Sequence, residues 1–395
     1  MSSVSLRLQP FGTTIFAEMT ALALQHNAVN LAQGFPDFDG PEPAKEAAKR
    51  AIDAGHSQYA RMFGVPRLNA AVAGAFSRRF EPSFGVEPDA HVTITSGCTE
   101  ALPSTFLGLI NPGDEVILFE PFYDSYRACV ALAGAVPRFV TLRPDGSGRF
   151  GFVESELRSA FGTRTRAILL NTPHNPTGKV FTRAELELIA ALCRQHNTLA
   201  ITDEVYEHLT YEPSLPHISL ATLPGMWERT VTLSSLGKSF SLTGWKIGWA
   251  IAPANLTAGV RAAHQFLTFA TATPLQHGAA AVIENPGPIV EDYKRLFRRN
   301  RDILAGVLGE LGFRTFPSDG TYFIMADHTA VSRRLGAADD RAFCQKMIER
   351  CGVAAIPPSV FYENREHGRD FVRFAYCKKA ETIDESVRRL RALAK

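Results

Sequence analysis

Residues 234–249 read Ser-Ser-Leu-Gly-Lys-Ser-Phe-Ser-Leu-Thr-Gly-Trp-Lys-Ile-Gly-Trp. An apolar, β-branched run precedes this segment and a second one follows it, a pattern that predicts strand, irregular loop and strand. Lys238 and Lys246 stand in this loop among hydroxyls and glycines. An amine beside hydroxyls and a second cation loses proton affinity, and a neutral amine can attack a carbonyl. The alternative is a solvated surface loop with two ordinary lysines.

The composition limits the classes of protein that this chain can belong to. Its 395 residues exceed one typical domain, so two domains are expected. The net charge of +2 comes from 42 basic and 40 acidic residues without a long run of one sign, which argues against nucleic acid as a partner. No apolar run reaches the length of a membrane span, and the first residues lack an apolar signal core. We therefore expect a cytoplasmic protein that does not bind a membrane.

The six cysteines are scattered, and no pair has the Cys-x-x-Cys spacing. In a chain of this length, that distribution predicts buried thiols and neither disulfides nor a metal site.

Several predicted strands are each followed directly by polar residues. The strand at 92–95 leads into Ser96-Gly97-Cys98-Thr99, at the start of a helix predicted to begin near Glu100. The first amides of a helix suit an anion, although such a turn is often only a helix cap. Gly97 would allow close approach, with Cys98 and Thr99 as donors.

Two further strands end in candidate residues of the same kind. The strand at 166–170 leads into a loop in which prolines and a glycine surround Asn175 and aim its amide. The strand at 199–202 delivers Asp203, and a carboxylate in that position faces the ligand crevice of a parallel sheet. A structural aspartate is the alternative. His174, beside Asn175, is interpreted as packing or loop structure.

Arg373 lies inside the otherwise apolar run 371–376. A buried guanidinium requires a partner, and its planar fork matches a carboxylate. The partner could be an internal acid or a bound ligand.

Taken together, Ser235-x-x-Lys238, the Gly-Trp-Lys-Ile-Gly segment at 244–248 and the Asn-Pro-Thr-Gly segment at 175–178 resemble the motifs of the class I aminotransferases. These are fold-type I enzymes that use pyridoxal 5′-phosphate (PLP). The similarity extends from about residue 11 to residue 391. It is greatest to the branch that holds kynurenine aminotransferase, glutamine transaminase K and the bacterial methionine aminotransferases.

The resemblance implies a role for each candidate cofactor residue. Lys238 would hold the PLP aldehyde covalently and act as the catalytic base, and Asp203 would pair with the pyridine nitrogen. Asn175 and Tyr206 would face the phenolic oxygen, and Tyr123 would stack on the ring. The phosphate would be bound by Gly97, Cys98, Thr99, Ser235 and Lys246, together with Tyr59 from a second subunit.

The resemblance also implies substrate contacts and a homodimer with shared active sites. Arg373 would hold the α-carboxylate beside Gly34 and Asn175, while Phe16 and Phe269 would line the side-chain pocket, the latter from the partner subunit. Phe35 is a further candidate for that pocket.

The implied fold is α/β. A large domain with a mostly parallel seven-stranded sheet flanked by helices would carry PLP, beside a smaller α+β domain. The expected boundaries are 1–45 for the arm and part of the small domain, 46–287 for the large domain, and 288–395 for the C-terminal small domain.

The expected reaction is transamination between an apolar, aromatic or sulfur-containing L-amino acid and a 2-oxo acid, in two half-reactions. Lys246 replaces the arginine of aspartate aminotransferases, which points to the kynurenine and methionine branch. Ala270 stands where kynurenine-type members can have histidine, which weakens kynurenine as the donor and favours methionine-like donors. The alternatives are a PLP-dependent β-lyase acting on cystathionine or cysteine S-conjugates, and a PLP-binding transcriptional regulator. The regulator would require a helix-turn-helix segment, which this sequence does not indicate.

Overall fold

The computed structural model describes residues 4–79 and 85–394. Its largest sheet has seven strands, six of which run parallel to one another. In spatial order they are Val92–Thr95, Gly248–Ile251, Thr230–Ser235, Leu199–Asp203, Thr165–Asn171, Glu115–Glu120 and Val136–Thr141. The strand Gly248–Ile251 is antiparallel to both of its neighbours. The predicted mostly parallel sheet is confirmed.

Burial on both faces explains why these strands are continuous apolar runs. Every residue of Glu115–Glu120, Leu199–Asp203 and Thr230–Ser235 is buried, as expected for a sheet covered by helices on both sides. Asn171 pairs in register with Asp203. Because parallel strands end at one edge, the residues after them meet there.

The α-helices of the described chain have the following bounds: Ile15–Gln25, Glu42–Asp53, Pro66–Arg79, Pro88–His91, Cys98–Leu109, Asp124–Leu132, Glu154–Ala160, Arg183–Gln195, Leu236–Ser239, Ala254–Leu267, Thr273–Ile283, Gly287–Glu310, Thr329–Leu335, Asp340–Cys351 and Ala380–Leu390. The sequence predicts Thr182 as the cap of Arg183–Gln195, and the structure confirms this and adds a capping box, since Thr182 and Glu185 bond reciprocally.

A second, smaller sheet is formed by Arg314–Thr315, Phe323–Asp327 and Phe371–Ala375, all antiparallel. Near it, Val29–Asn30 pairs with Val353–Ala354, which attaches the N-terminal part of the chain to the C-terminal part. Arg143–Pro144 pairs with Phe150–Gly151 in a hairpin. The pairing of early and late segments agrees with the proposed division at 45 and 287, which stays a prediction.

Two details differ from the sequence prediction. The loop between Ser235 and Gly248 contains a short helix, Leu236–Ser239, and a 3-10 turn, Thr243–Trp245. In the first helix, Leu24 is 78% exposed, whereas Ile15, Met19 and Ala23 are buried. The sequence predicts that Phe16, Met19, Leu22 and Leu24 form the apolar stripe of this helix. The prediction is wrong for Leu24, because the buried face is formed by Ile15, Met19 and Ala23.

No helix within residues 4–79 and 85–394 is long and apolar enough to cross a membrane. The six cysteines are free thiols, five of them buried and Cys98 half-buried.

Candidate functional site

An inner cavity of about 230 Å³ lies where strands of the large sheet end. Among the residues lining it are Gly97, Cys98, Thr99, Tyr123, Asn175, Asp203, Tyr206, Ser235, Lys238 and Lys246. The structure therefore brings together, from six segments of the chain, all of the predicted cofactor contacts except Tyr59.

Lys238 projects into this cavity from the short helix Leu236–Ser239. Its Nζ donates to the Gly34 carbonyl at 3.3 Å. Burial lowers the pKa of Lys238, and the Arg373 guanidinium lowers it further, while Asp203 and Cys377 oppose the shift. The sequence prediction attributed this effect to Lys246, which was wrong, because the second cation that acts on the amine is Arg373. The result is an amine that gives up its proton more readily than an ordinary lysine.

Asp203 is the acid of the cavity. Tyr126 Oη donates to its Oδ2 at 2.7 Å, and the Val205 amide donates to its Oδ1 at 3.2 Å. Burial raises the pKa of Asp203, and these two hydrogen bonds work against that rise. The Cys98 thiol is a third, weaker donor to this carboxylate. A buried carboxylate held only by neutral donors of the described chain is suited to a cationic partner within the cavity.

The opposite end of the cavity is suited to an anion. The helix Cys98–Leu109 begins there, and Lys246 Nζ donates to Thr99 Oγ1 at 2.9 Å. A Cβ at Gly248 would lie 2.5 Å from the Gly97 carbonyl carbon, so only glycine allows the helix to start so close to the sheet. The N-terminal amides of Cys98 and Thr99, the hydroxyls and Lys246 form a set of donors for a phosphate.

Arg373 and Asn175 line a middle cavity of about 290 Å³, which shares Tyr123, Tyr206 and Lys238 with the inner one. Arg373 is 1% exposed, and it donates to Asn175 Oδ1 and to the Ala32 carbonyl, both at 2.9 Å. Its Nε has no hydrogen-bond partner within the described chain. Burial lowers the pKa of Arg373 to about 10, so the guanidinium remains cationic at neutral pH.

The partner of Arg373 is therefore not an internal acid, since no carboxylate of residues 4–79 or 85–394 forms a salt bridge with it. A buried cation held only by neutral groups leaves room for an anionic ligand. Of the two possible partners, an internal acid and a bound ligand, the geometry favours a ligand carboxylate bound in the middle cavity.

Gly34 closes one side of this cavity. A Cβ at this position would meet Phe323 Cζ at 2.7 Å, so a larger residue would displace that ring. The Gly34 carbonyl accepts from Tyr322 Oη at 2.7 Å as well as from Lys238. The loop is thus fixed between the amine and the small sheet.

Aromatic rings form the remaining wall. The Phe16 ring lies 6.5 Å from Tyr123 and 5.4 Å from the Arg373 Cζ, and the Phe323 ring lies 4.2 Å from the same carbon. Phe35 also lines the cavity, although 46% of it is exposed. Such a wall suits an apolar side chain.

Two predicted residues do not join the site of their own chain. Tyr59 and Phe269 lie in edge-to-face contact, with ring centroids 5.3 Å apart, and are 83% and 45% exposed. Neither lines the inner or the middle cavity.

The structure also adds residues that the sequence prediction missed. Tyr126 follows Tyr123 by three residues on a helix, a spacing that could have indicated its position. Thr243 and Phe323 had no such signal, because nothing in the sequence shows which neighbours of a loop or strand face a cavity.

His174, in contrast, has a structural role. It is buried, its Nδ1 lies 2.8 Å from Thr177 Oγ1, and burial lowers its pKa to about 3. A neutral ring bonded within the loop agrees with the interpretation as packing.

These features fit PLP. The cavity offers an amine for an aldehyde, a carboxylate for a pyridinium, the Tyr123 ring for stacking, and donors for a phosphate at the helix start. The Arg373 Nε, which has no partner within the described chain, lies next to these groups and is available to a substrate.

Comparison with known proteins agrees with this assignment. Residues 26–390 match the family "Aminotransferase class I and II". The chain is 46% identical to a probable N-succinyldiaminopimelate aminotransferase of Mycobacterium tuberculosis, with 98% of both chains covered. It is 39% identical to the methionine aminotransferase of Escherichia coli, covering 98% of this chain and 97% of the relative.

The solved structures lead to the same family. The structure of N-succinyldiaminopimelate aminotransferase from Mycobacterium tuberculosis superimposes with a TM-score of 0.94, covering 99% of this chain and all of that one. This agreement extends the match from the motifs to the whole fold.

Proposed function

This chain belongs to the class I and II aminotransferase family and is a PLP-dependent aminotransferase. From that premise, we propose which amino acids are its preferred donors. We propose that it transfers the amino group of methionine-like L-amino acids, with apolar, aromatic or sulfur-containing side chains, to a 2-oxo acid. The observation that carries this proposal is the buried Arg373, which has no acidic partner among residues 4–79 and 85–394 and lies beside the rings of Phe16 and Phe323.

Several residues of the inner cavity have a task in this proposal. When bound, PLP supplies an electron sink for the bonds at the substrate's Cα. Lys238 moves the Cα proton, because its low proton affinity leaves the amine available as a base. Asp203, held by Tyr126, keeps the pyridine nitrogen protonated, and the start of the helix Cys98–Leu109 binds the phosphate with Lys246 and Ser235.

The middle cavity orients the substrate. Arg373 binds the α-carboxylate, and its hydrogen bond to Asn175 holds the fork in place. Gly34 lets the loop pack directly against Phe323, and its carbonyl accepts from Lys238. Phe16 contacts the side chain, and this contact favours apolar groups next to the Cα.

A second candidate donor is N-succinyldiaminopimelate. The 46% identity to a relative named for that activity favours it. No residue of the site favours cleavage of a C–S bond over transamination, so the β-lyase alternative is not proposed.

The proposal is tested with a panel of donors and two acceptors. We expect methionine and phenylalanine to react efficiently with 2-oxoglutarate and with 2-oxo-4-methylthiobutyrate, and to exceed glutamine, kynurenine and aspartate in kcat/KM. A wide margin for aspartate would contradict the apolar pocket. Pyruvate and ammonia formed from cystathionine without any acceptor would revive the β-lyase.

We further propose a homodimer in which Tyr59 and Phe269 complete the partner's site. Their exposure, together with that of Phe266 at 86% and Leu267 at 47%, supports this proposal. Exposed aromatic clusters of this kind are typical of interfaces between proteins.

A further inference from the structure

One wall of the middle cavity is the Gly34 loop, which consists of residues 32–35, Ala-Gln-Gly-Phe. The last three residues of this loop line the cavity beside Arg373. The width of the cavity at the arginine therefore depends on where the loop is held.

Every carbonyl of the Gly34 loop accepts a hydrogen bond from a basic side chain. The first carbonyl accepts from Arg373 at 2.9 Å, and the third accepts from Lys238 at 3.3 Å. The other two share one donor, Lys378, whose Nζ lies 3.2 Å from the second carbonyl oxygen and 2.8 Å from the fourth. Lys378 thus binds the loop on both sides of Gly34.

Lys378 makes these bonds from a buried position. It is 3% exposed, and no carboxylate within residues 4–79 or 85–394 forms a salt bridge with it. Its Nζ also lies 5.1 Å from the centre of the Phe35 ring, within the range of a cation–π contact. Burial of an ammonium without an acid is costly. Because both hydrogen bonds and the ring contact go to the Gly34 loop, the contacts of this lysine indicate that its role is to hold that loop.

Lys378 and Arg373 belong to one segment, which runs alongside the Gly34 loop. Between them in sequence, the Ala375 amide donates to the Leu31 carbonyl at 2.7 Å. The guanidinium and the ammonium therefore bind the loop from the same stretch of backbone, and together they fix its distance from Arg373.

We propose that Lys378 is a positioning residue for substrate binding, because it holds the Gly34 loop at the distance from Arg373 that an α-carboxylate requires. The inference rests on the proposed function of the middle cavity. Lys378 lines neither the middle nor the inner cavity, and its ammonium faces the loop. Its removal is therefore expected to weaken substrate binding and to spare the proton transfer at Lys238.

The test compares the unaltered enzyme with its Lys378→Met variant, both with PLP bound. Methionine at this position keeps an apolar chain but removes the donor. We expect the KM values for methionine and for 2-oxoglutarate each to rise about 10-fold, with less than about a 2-fold change in kcat. The Kd of 4-methylthiobutyrate, which is methionine without its amino group, should rise by the same factor in a calorimetric titration.

Lys346→Met is the matched control. Lys346 donates to the Leu335 and Gly336 carbonyls at 2.8 and 2.7 Å, so it also binds two carbonyls of a loop, but it lines neither cavity. This control should lower the melting temperature and leave KM, kcat and Kd unchanged. An equal rise of KM in both variants, a loss confined to kcat, or unchanged KM and Kd values in folded Lys378→Met would overturn the positioning role.

Lys378→Gln replaces Lys378→Met if the latter does not fold. Its neutral, shorter side chain cannot span both carbonyls, so KM should again rise without a matching loss of kcat, and an unchanged KM would overturn the proposal.

The donor preference is judged separately. If another donor exceeds methionine, the proposed preference is wrong and the same comparison is made with that donor. An enzyme inactive toward the whole donor panel contradicts the proposed function, and the Kd of 4-methylthiobutyrate then decides the role of Lys378.

Discussion

At the scale of single residues, Arg373 is the strongest predictor of substrate class. We expect Arg373→Gln to reduce kcat/KM for methionine about 100-fold, since a charge-assisted hydrogen bond to a carboxylate contributes up to about 3 kcal/mol. Because both substrates carry an α-carboxylate, the KM values for the amino donor and for the oxo-acid acceptor should rise together. Steady-state kinetics with each substrate varied in turn would measure this.

The spectrum of bound PLP and the melting temperature of the variant serve as controls for the cofactor site and for folding. An unchanged KM in a folded, PLP-bound variant would show that the buried guanidinium has another partner.

The amine of Lys238 leads to a prediction about pH. The neutral amine forms the covalent link to an aldehyde, and the lowered pKa means that the neutral form appears at a lower pH than in ordinary lysine. Borohydride fixation of PLP should therefore reach half of its maximum below pH 10.5, the ordinary lysine value. Lys238→Ala should show neither fixation nor turnover with any donor. Fixation that survives this substitution would place the link on another residue.

Tyr126 is predicted to position Asp203. Its hydrogen bond lowers the pKa of that carboxyl, so Tyr126→Phe should raise this pKa. Asp203 would then become protonated at a higher pH as the solution is acidified. The acid limb of the kcat profile should move to higher pH, and kcat at neutral pH should fall about 10-fold, the effect of about 1.4 kcal/mol. An unmoved limb would indicate a purely structural tyrosine.

The sequence predicted these site residues unevenly. Lys238, Asp203 and Asn175 could be predicted because each follows an apolar strand in a recognisable motif. The cause of the low pKa of Lys238 could not, because it depends on burial and on Arg373, which is distant in sequence. Long-range proximity has no local signature.

At the scale of elements, the helix Cys98–Leu109 is held in place by a buried ion pair. Glu100, in its first turn, accepts from His264 Nδ1 at 3.0 Å, and His264 Nε2 lies 2.8 Å from the Met62 carbonyl. Burial lowers the pKa of His264, because it disfavours the charged ring. The hydrogen bonds of the two ring nitrogens to Glu100 and Met62 outweigh this effect, so that the pKa of His264 is raised. The pair connects Ala254–Leu267 to the helix that begins at the phosphate site.

We expect His264→Gln to cost about 3 kcal/mol of unfolding free energy, as for breaking one partner of a buried pair. Because the folded pKa is raised, this stabilisation is fully present below pH 6.5, the unfolded value. It is lost as the pH rises through the higher folded value. The difference in melting temperature between the two proteins should thus shrink above pH 6.5, as thermal unfolding at several pH values would show. A difference in melting temperature that does not change with pH would indicate that His264 stabilises the fold through the packing of its neutral ring.

Strands that are set by the burial of apolar runs were predicted well. A short element that depends on tertiary contacts was not predicted. The strands predicted at 92–95, 166–170 and 199–202 follow apolar runs and were found within one residue of their predicted ends. The short helix Leu236–Ser239 was missed because four residues, one of them a glycine, have no helical periodicity. Its single turn is stabilised by Leu236, which is fully buried.

At the scale of the whole molecule, the proposed dimer explains why two site residues point away from their own cavity. The domain boundaries stay a prediction, and so does the cytoplasmic location, which depends on surroundings that one chain does not contain. The shared active site, in contrast, can be tested directly.

Two inactive variants should restore activity when they are combined, if Tyr59 acts across the interface. A mixed dimer of Lys238→Ala and Tyr59→Ala has one site with both defects and one site with neither. After unfolding and refolding of an equimolar mixture, random pairing should recover about a quarter of the unaltered activity, because half of the dimers are mixed and each has one intact site. If Tyr59 acted within its own chain, each site of the mixed dimer would carry one defect, and the mixture would be no more active than the average of its two components. The matched pair Lys238→Ala and Tyr126→Phe, both in one cavity, provides the control, since its mixed dimers contain no unaltered site.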